Sequence, residues 1–168
     1  MNKPDLRIKL NRFLLTLCAI ILALMAIFAN WQVIGRYVFS DPPGWTDETL
    51  RFMLIWLTMI GAPLAHGLNR SMVVTFLVDK MAEKSKIINT IFVESLIILF
   101  SSIVLIVGGI IYCTIGMNVI SSSLGIRMVW VYASLPVSGV LFIIYSSLKI
   151  KEALLDLKLL KEGGDENG

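Results

Sequence analysis

From Phe13 to Gly35 the chain carries no Asp, Glu, Lys, Arg or His. That run exceeds the roughly 20 residues a helix needs to cross the hydrocarbon core of a bilayer. Lipid offers no partner to a peptide N–H or C=O, so a segment of this kind must satisfy its backbone internally, as a helix. Three further runs repeat the constraint. Residues 128–148 are also uncharged, and residues 52–65 are uncharged and extend to about 69 if Arg51 and His66 reach opposite interfaces. Residues 87–126 are interrupted only by Glu94 and hold one span followed by a polar-leaning turn, NVISSSLG. With 57% hydrophobic and 16% charged residues, the composition excludes an ordinary water-soluble domain. The expected fold is an all-α integral membrane protein, 1–168 as a single membrane domain, with spans at about 13–35, 48–68, 88–116 and 127–148 and a tail at 149–168.

The first run follows a basic start (Lys3, Arg7, Lys9, Arg12), as a secretory signal would. It is longer than a signal's apolar core and ends without a small-x-small cleavage site, which marks it as a retained span. Basic residues then set the orientation. Twelve Lys and Arg lie in the N-terminal segment, the loop between spans 2 and 3, and the tail. Only Arg36, Arg51 and Arg127 fall in the other two loops. The positive-inside rule therefore predicts both termini in the cytoplasm. The net charge of +3 reports topology and affinity for anionic lipid, and gives no sign of nucleic acid.

Each polar connection has its own logic. In the outer segment RYVFSDPPGWTDETLR, Pro42 and Pro43 exclude helix interior. Thr46 is placed to cap span 2, with Asp47 and Glu48 near the positive helix end and Trp45 packing on Leu50. Trp31, Tyr37 and Trp45 suit an interfacial aromatic belt. Asp47 and Glu48 lie four and three residues before Arg51, within ion-pair reach on one helix face. Between spans 2 and 3, Val74, Leu77, Val78 and Met81 share one helical face while Thr75, Asp79 and Glu83 lie opposite. This pattern predicts an amphipathic helix over about 70–84, lying in the cytoplasmic interface. In the tail, Ile150, Ala153, Leu154, Leu157 and Leu160 keep helical spacing, so span 4 continues into the cytosol or bends along the membrane.

Catalysis has little to work with. The chain has one histidine and no GxSxG, P-loop, CxxC or HExxH pattern, which argues against an enzyme and against a metal site or cofactor in this chain. Cys18 and Cys113 fall inside spans without companion ligands and read as inert thiols. Glu94 is the sharpest residue, about 10 Å into span 3 at 1.5 Å per residue. A carboxylate at bilayer centre costs roughly 3 kcal/mol or more on insertion scales. Two readings compete: a proton- or cation-coupling acid, or a group that hydrogen-bonds Ser, Asn or basic groups within a subunit interface or snorkels toward the cytoplasm. His66 reads as an ordinary interfacial histidine, with a partner for Glu94 or a subunit contact as the alternatives. Coupling sites lie near the midplane, and Glu94 is shallower. Gly61, Ala62, Gly108, Gly109, Ser134 and Ser138 permit close helix approach, and Pro63 and Pro136 permit bends in spans 2 and 4.

Taken in order, Arg36-Tyr37-Val38-Phe39, Trp45-x-Asp47-Glu48 with Arg51 and Trp56, the Gly61-Ala62 pair, VDKM, and LGIRMVWVYASLPVSG with Pro136 resemble one known family along nearly the whole chain. It is the small membrane subunit, DctQ-like, of tripartite ATP-independent periplasmic (TRAP) transporters. One departure is visible: members often carry a more basic, His-containing stretch where this chain reads Gly67-Leu68-Asn69-Arg70-Ser71. The resemblance implies a scaffold subunit in the bacterial inner membrane, partnered by a large polytopic membrane subunit and a periplasmic substrate-binding protein. Together these would import an organic anion, such as sialic acid or a dicarboxylate, by symport with sodium ions held in the large subunit. It further implies that Arg36, Trp45, Asp47, Glu48, Arg51 and Trp56 serve a subunit or binding-protein interface.

The competing function is an autonomous four-helix transporter coupled through Glu94. The twelve-to-three charge bias opposes the dual insertion some small exporters use, though it leaves a parallel homodimer open. A carrier also needs polar groups converging near the midplane, and beyond Glu94 this sequence supplies only scattered Ser and Thr.

Overall fold

The computed structural model describes residues 3–38, 44–68 and 83–165. Helix α1 is Lys3–Val38 and α2 is Gly44–Leu68. Helix α3, Glu83–Phe100, continues through a π-helical stretch, Ser101–Gly108, into α4, Gly109–Gly116. A short α5, Val129–Tyr132, leads into α6, Ser134–Asp165. Four stretches are long and apolar enough to cross a membrane: Arg7–Val38, Gly44–Leu68, Ile87–Gly116 and Val129–Leu155. They are spans 1 to 4 below. The amphipathic helix expected over 70–84 falls almost wholly outside the described residues, and its last two positions, Glu83 and Lys84, open α3 instead. Pro42 and Pro43 are outside them as well.

The helices outrun the uncharged stretches that betray them. Helix α1 begins ten residues before Phe13, because lysine and arginine are good helix formers and tolerate the polar end of a span. Helix α2 starts at Gly44, so Thr46 lies inside its first turn and fully buried, where a capping position was expected. Span 4 is interrupted at Ala133, three residues before Pro136. Proline has no N–H to give the preceding turn, and the break falls where that bond would be. The tail then continues as one helix to Asp165.

The spans form a row, not a closed bundle. Span 1 packs on span 2, span 2 on span 4, and span 4 on span 3, leaving spans 1 and 3 at the two edges. Only 6% of span 1's most apolar window is buried, against 33% for span 4, so the edges keep most of their apolar surface uncovered. The core is correspondingly small. Leu14, Ile60, Leu64 and Tyr145 from spans 1, 2 and 4 are enclosed, with Leu10, Trp56 and Leu141 packed around them. Hydroxyls and amides on the uncovered faces bond their own helix. Thr16 Oγ1 donates to Arg12 O at 2.9 Å, Asn30 Nδ2 to Ala26 O at 2.8 Å and Ser95 Oγ to Ile91 O at 2.7 Å. Such back-bonding lets a polar side chain face hydrocarbon without leaving its donor unmet.

Candidate functional site

Polar contacts between helices gather at two levels. The first is at the terminal end, where α1 starts and α6 leaves the membrane. Glu94, 5% exposed, is met from both sides. Lys149 Nζ on α6 is 3.2 Å from Oε1, and His66 Nε2 near the end of α2 is 3.0 Å from Oε2. A carboxylate only accepts, so Nε2 carries the imidazole proton, an assignment made from the network. The 3.3 Å approach of Lys149 Nζ to the same nitrogen is then a contact between neighbours and not a further hydrogen bond. The His66 ring tilts over Phe142 at 5.8 Å between centroids. Ser146, one turn before Lys149, is fully buried and faces the cluster, with its Oγ outside hydrogen-bond geometry. One carboxylate thus joins spans 2, 3 and 4.

Span 1 is tied in beside it. Arg7 donates from Nη1 to Glu152 Oε1 at 2.6 Å and from Nη2 to the Gly67 carbonyl at 2.8 Å. The Tyr145 hydroxyl donates to Asn11 Oδ1 at 2.5 Å. Gly67 is required for this fit, because a Cβ there would overlap the Tyr145 ring.

The second level is the opposite, loop end. Residues 117–128 fold as a small hairpin with an antiparallel bridge between Ile120 and Arg127. Ser121 N–H donates to Ile126 O at 2.9 Å and Met128 N–H to Val119 O at 2.9 Å. The turn closes through Gly125 at φ +65°, a conformation that costs a residue with a Cβ about 1 kcal/mol or more. Glu48 Oε2 fastens this hairpin to α2, accepting from Ser123 N–H at 3.0 Å and Leu124 N–H at 3.1 Å.

The residues singled out in the sequence are thus distributed unevenly. Glu48 turns inward to the hairpin, while its neighbour Asp47 pairs with Arg51 at 3.2 Å on the exposed surface. Arg36 is exposed at the end of α1. Trp45 stands edge-on to Phe28, 6.1 Å between centroids at 85°. Trp56 packs against the core cluster. Gly61 has no atom within 4 Å of where its Cβ would be, and Ala62 is exposed, so neither is used for close approach inside this chain. Pro136 is so used: it lies against Gly109. Sequence reasoning placed Lys149 with the tail and missed it as the partner of Glu94. Arg7, Asn11 and Tyr145 were not marked either, since no local pattern announces a contact between residues more than a hundred positions apart.

Chemically, the arrangement holds helices together. Both oxygens of Glu94 are engaged by basic groups of the same chain. Among the described residues no group of three or more His, Cys, Asp or Glu side chains could hold a metal ion. Two open grooves flank spans 1 and 2. One is lined almost wholly by apolar groups, among them Ile21, Phe52, Trp56 and Ile126. The other is apolar beneath the Asp47–Arg51 pair.

Comparison with known proteins adds a separate line. Residues 25–156 match the family of tripartite ATP-independent periplasmic transporters, DctQ component. A Haemophilus influenzae protein described as a TRAP transporter small permease protein is 31% identical over 132 residues, covering 79% of this chain and 81% of the relative. The sialic acid TRAP transporter small permease protein SiaQ of Vibrio cholerae is 27% identical over 129 residues, covering 76% of this chain and 72% of its own.

Proposed function

Because the chain belongs to the DctQ family, the small permease subunits of TRAP transporters, we propose that it works as a scaffold for a larger membrane subunit and leaves solute binding to its partners. It is a transport component and not an enzyme. The observation that carries the reading is the state of Glu94: the one buried carboxylate of the described spans is spent on holding three helices together. A hydrophilic anion crossing a membrane needs polar groups converging near the midplane. Here the hydroxyls of Thr16, Thr58, Ser95, Ser102 and Thr114 bond their own helix, and Glu94 bonds Lys149 and His66.

The row of helices supports the same role from the other side. Spans 1 and 3 leave apolar faces uncovered, and Gly61 and Ala62 on span 2 are small and unused within the chain. Small residues let a second helix come close, which is how helices associate in lipid. The large polytopic subunit is the partner that suits these faces, in the bacterial inner membrane with both termini cytoplasmic, as the basic residues suggest. In this reading the Asp47–Arg51 pair, Arg36 and Trp45 lie at the periplasmic surface, where a substrate-binding protein delivers its cargo. The cargo is an organic anion carried with sodium ions bound in the large subunit. Sialic acid is one candidate, from the 27% identical relative named as a sialic acid TRAP transporter small permease protein.

The autonomous carrier is the weaker reading, since a coupling acid must exchange its proton or cation with water and Glu94 is enclosed by Lys149 and His66. The test is uptake in cells that express the large subunit and the binding protein with and without this chain. The scaffold role predicts that uptake collapses without it and that the large subunit is recovered in smaller amount. Full uptake in its absence overturns the role.

A further inference from the structure

The third span changes gait half-way. From Ser101 to Gly108 its turns widen into a π-helix, in which each N–H reaches the carbonyl five residues back, and the α-helix resumes at Gly109. Such turns are rare interruptions of an α-helix and have identifiable causes. The local sequence, SSIVLIVG, contains no proline that would force one. Along this stretch span 3 packs against span 4.

Four residues of span 3 set its register on the line of contact, where Leu105 and Ile106 also lie against Gly139. Glu94 pairs with Lys149. The Ser101 carbonyl lies under Gly139, 3.3 Å from where a Cβ would stand. Gly109 meets Pro136, whose Cδ would be 2.7 Å from an added Cβ, and Gly116 meets Tyr132, with Cδ2 at 2.6 Å by the same measure. The steps between these four are seven, eight and seven residues. Seven residues of α-helix fall only about 20° short of two turns, which slight supercoiling absorbs. Eight residues overshoot two turns by about 80°. An unbroken α-helix would therefore turn Gly109 about 60° and Gly116 about 40° from the line of Glu94. On the facing line Tyr132, Gly139 and Ser146 are each seven apart, with the break of span 4 at Ala133 between the first two.

We propose that the π-helical stretch Ser101–Gly108 is a register adapter. It takes up the one surplus residue of span 3, so that a single helix makes the Glu94 ion pairs at the terminal end and the Gly109 and Gly116 close contacts toward the loop end. Both anchors have fixed registers. A buried carboxylate that loses its basic partners is left charged in a dry environment. The glycine contacts have no room for any other side chain. The wide turns between them reconcile the two. Ser101, which opens the stretch, is 1% exposed, and its hydroxyl has no hydrogen-bond partner.

Deleting single residues separates an adapter from an ordinary helix segment. Val104 lies within the stretch and is 48% exposed, so its removal sacrifices little packing. Thr114 is also exposed but lies between the two glycine contacts. In the purified full-length chain, deletion of Val104 restores seven-residue steps throughout. It is expected to melt at or above the parent temperature, with slower amide exchange over residues 101–108. Deletion of Thr114 breaks a correct step and is expected to melt well below both. If the Val104 deletion melts as low as the Thr114 deletion, or leaves exchange over 101–108 as fast as in the parent, the adapter is refuted.

Discussion

Lys149 Nζ and Glu94 Oε1 are 3.2 Å apart across the interface of spans 3 and 4, with both side chains largely withdrawn from solvent, at 13% and 6% exposure. Removing one member of such a pair is costlier than removing both, because the survivor stays charged in a dry site. Glu94→Ala should therefore lower unfolding stability by about 3 kcal/mol, the size typical of a broken buried pair. Glu94→Leu combined with Lys149→Met should recover most of that loss. Reversible unfolding in detergent of Glu94→Ala, of Lys149→Met and of the double variant measures it. Equal losses in single and double variants would remove the clasp from the account.

Glu48 should matter to the hairpin more than to the helix that carries it. It is the acceptor for the Ser123 and Leu124 amides, and glutamine in its place keeps the shape but gives up the charge. In Glu48→Gln the amides of 123 and 124 are expected to exchange with solvent many times faster while those of α2 stay near parent rates. Unchanged exchange at both positions would show that the hairpin is held by other means.

The two glycines of span 2 should part company. At Gly67 a methyl group meets the Tyr145 ring, so Gly67→Ala is expected to cost about 1–3 kcal/mol, as overpacked cores do. At Gly61 nothing lies within 4 Å of the new atom, so Gly61→Ala should leave the isolated chain as stable as the parent. Melting temperatures of the two variants decide it.

The same open space predicts a different phenotype in the assembly. Gly61→Leu should leave the purified chain folded but reduce the amount of large subunit recovered with it, because a bulky side chain holds a second helix off. Co-purification quantified against the parent is the measurement. Undiminished recovery would place the partner on another face.

Much of the fold was legible in the chain, for a physical reason. Lipid forbids unpaired backbone, so an uncharged run such as Phe13–Gly35 has a single regular structure open to it, and four such runs give four helices. Their lateral order was not legible. Nothing local says that span 4 lies between spans 2 and 3, and without that order Glu94 cannot be matched with Lys149, although His66 was open to it as a partner. Lys149 had a sufficient explanation as an orienting charge and gave no hint of a second use. Glu48 was marked by its place in the first turn of span 2, but the hairpin it holds lies some seventy-five residues further on. The π-helical stretch did leave a trace, the eight-residue step from Ser101 to Gly109, readable only once span 4 is known to lie alongside.

The central claim is that the membrane-embedded part of this chain holds helices together and offers a solute no place to bind. Reconstitution in liposomes tests it most directly, with an inward sodium gradient and a radiolabelled organic anion supplied with its binding protein. The account predicts no uptake by the chain alone, and uptake once the large subunit is incorporated beside it. Sodium-dependent accumulation by the chain alone, abolished by Glu94→Gln, would contradict the account at its root.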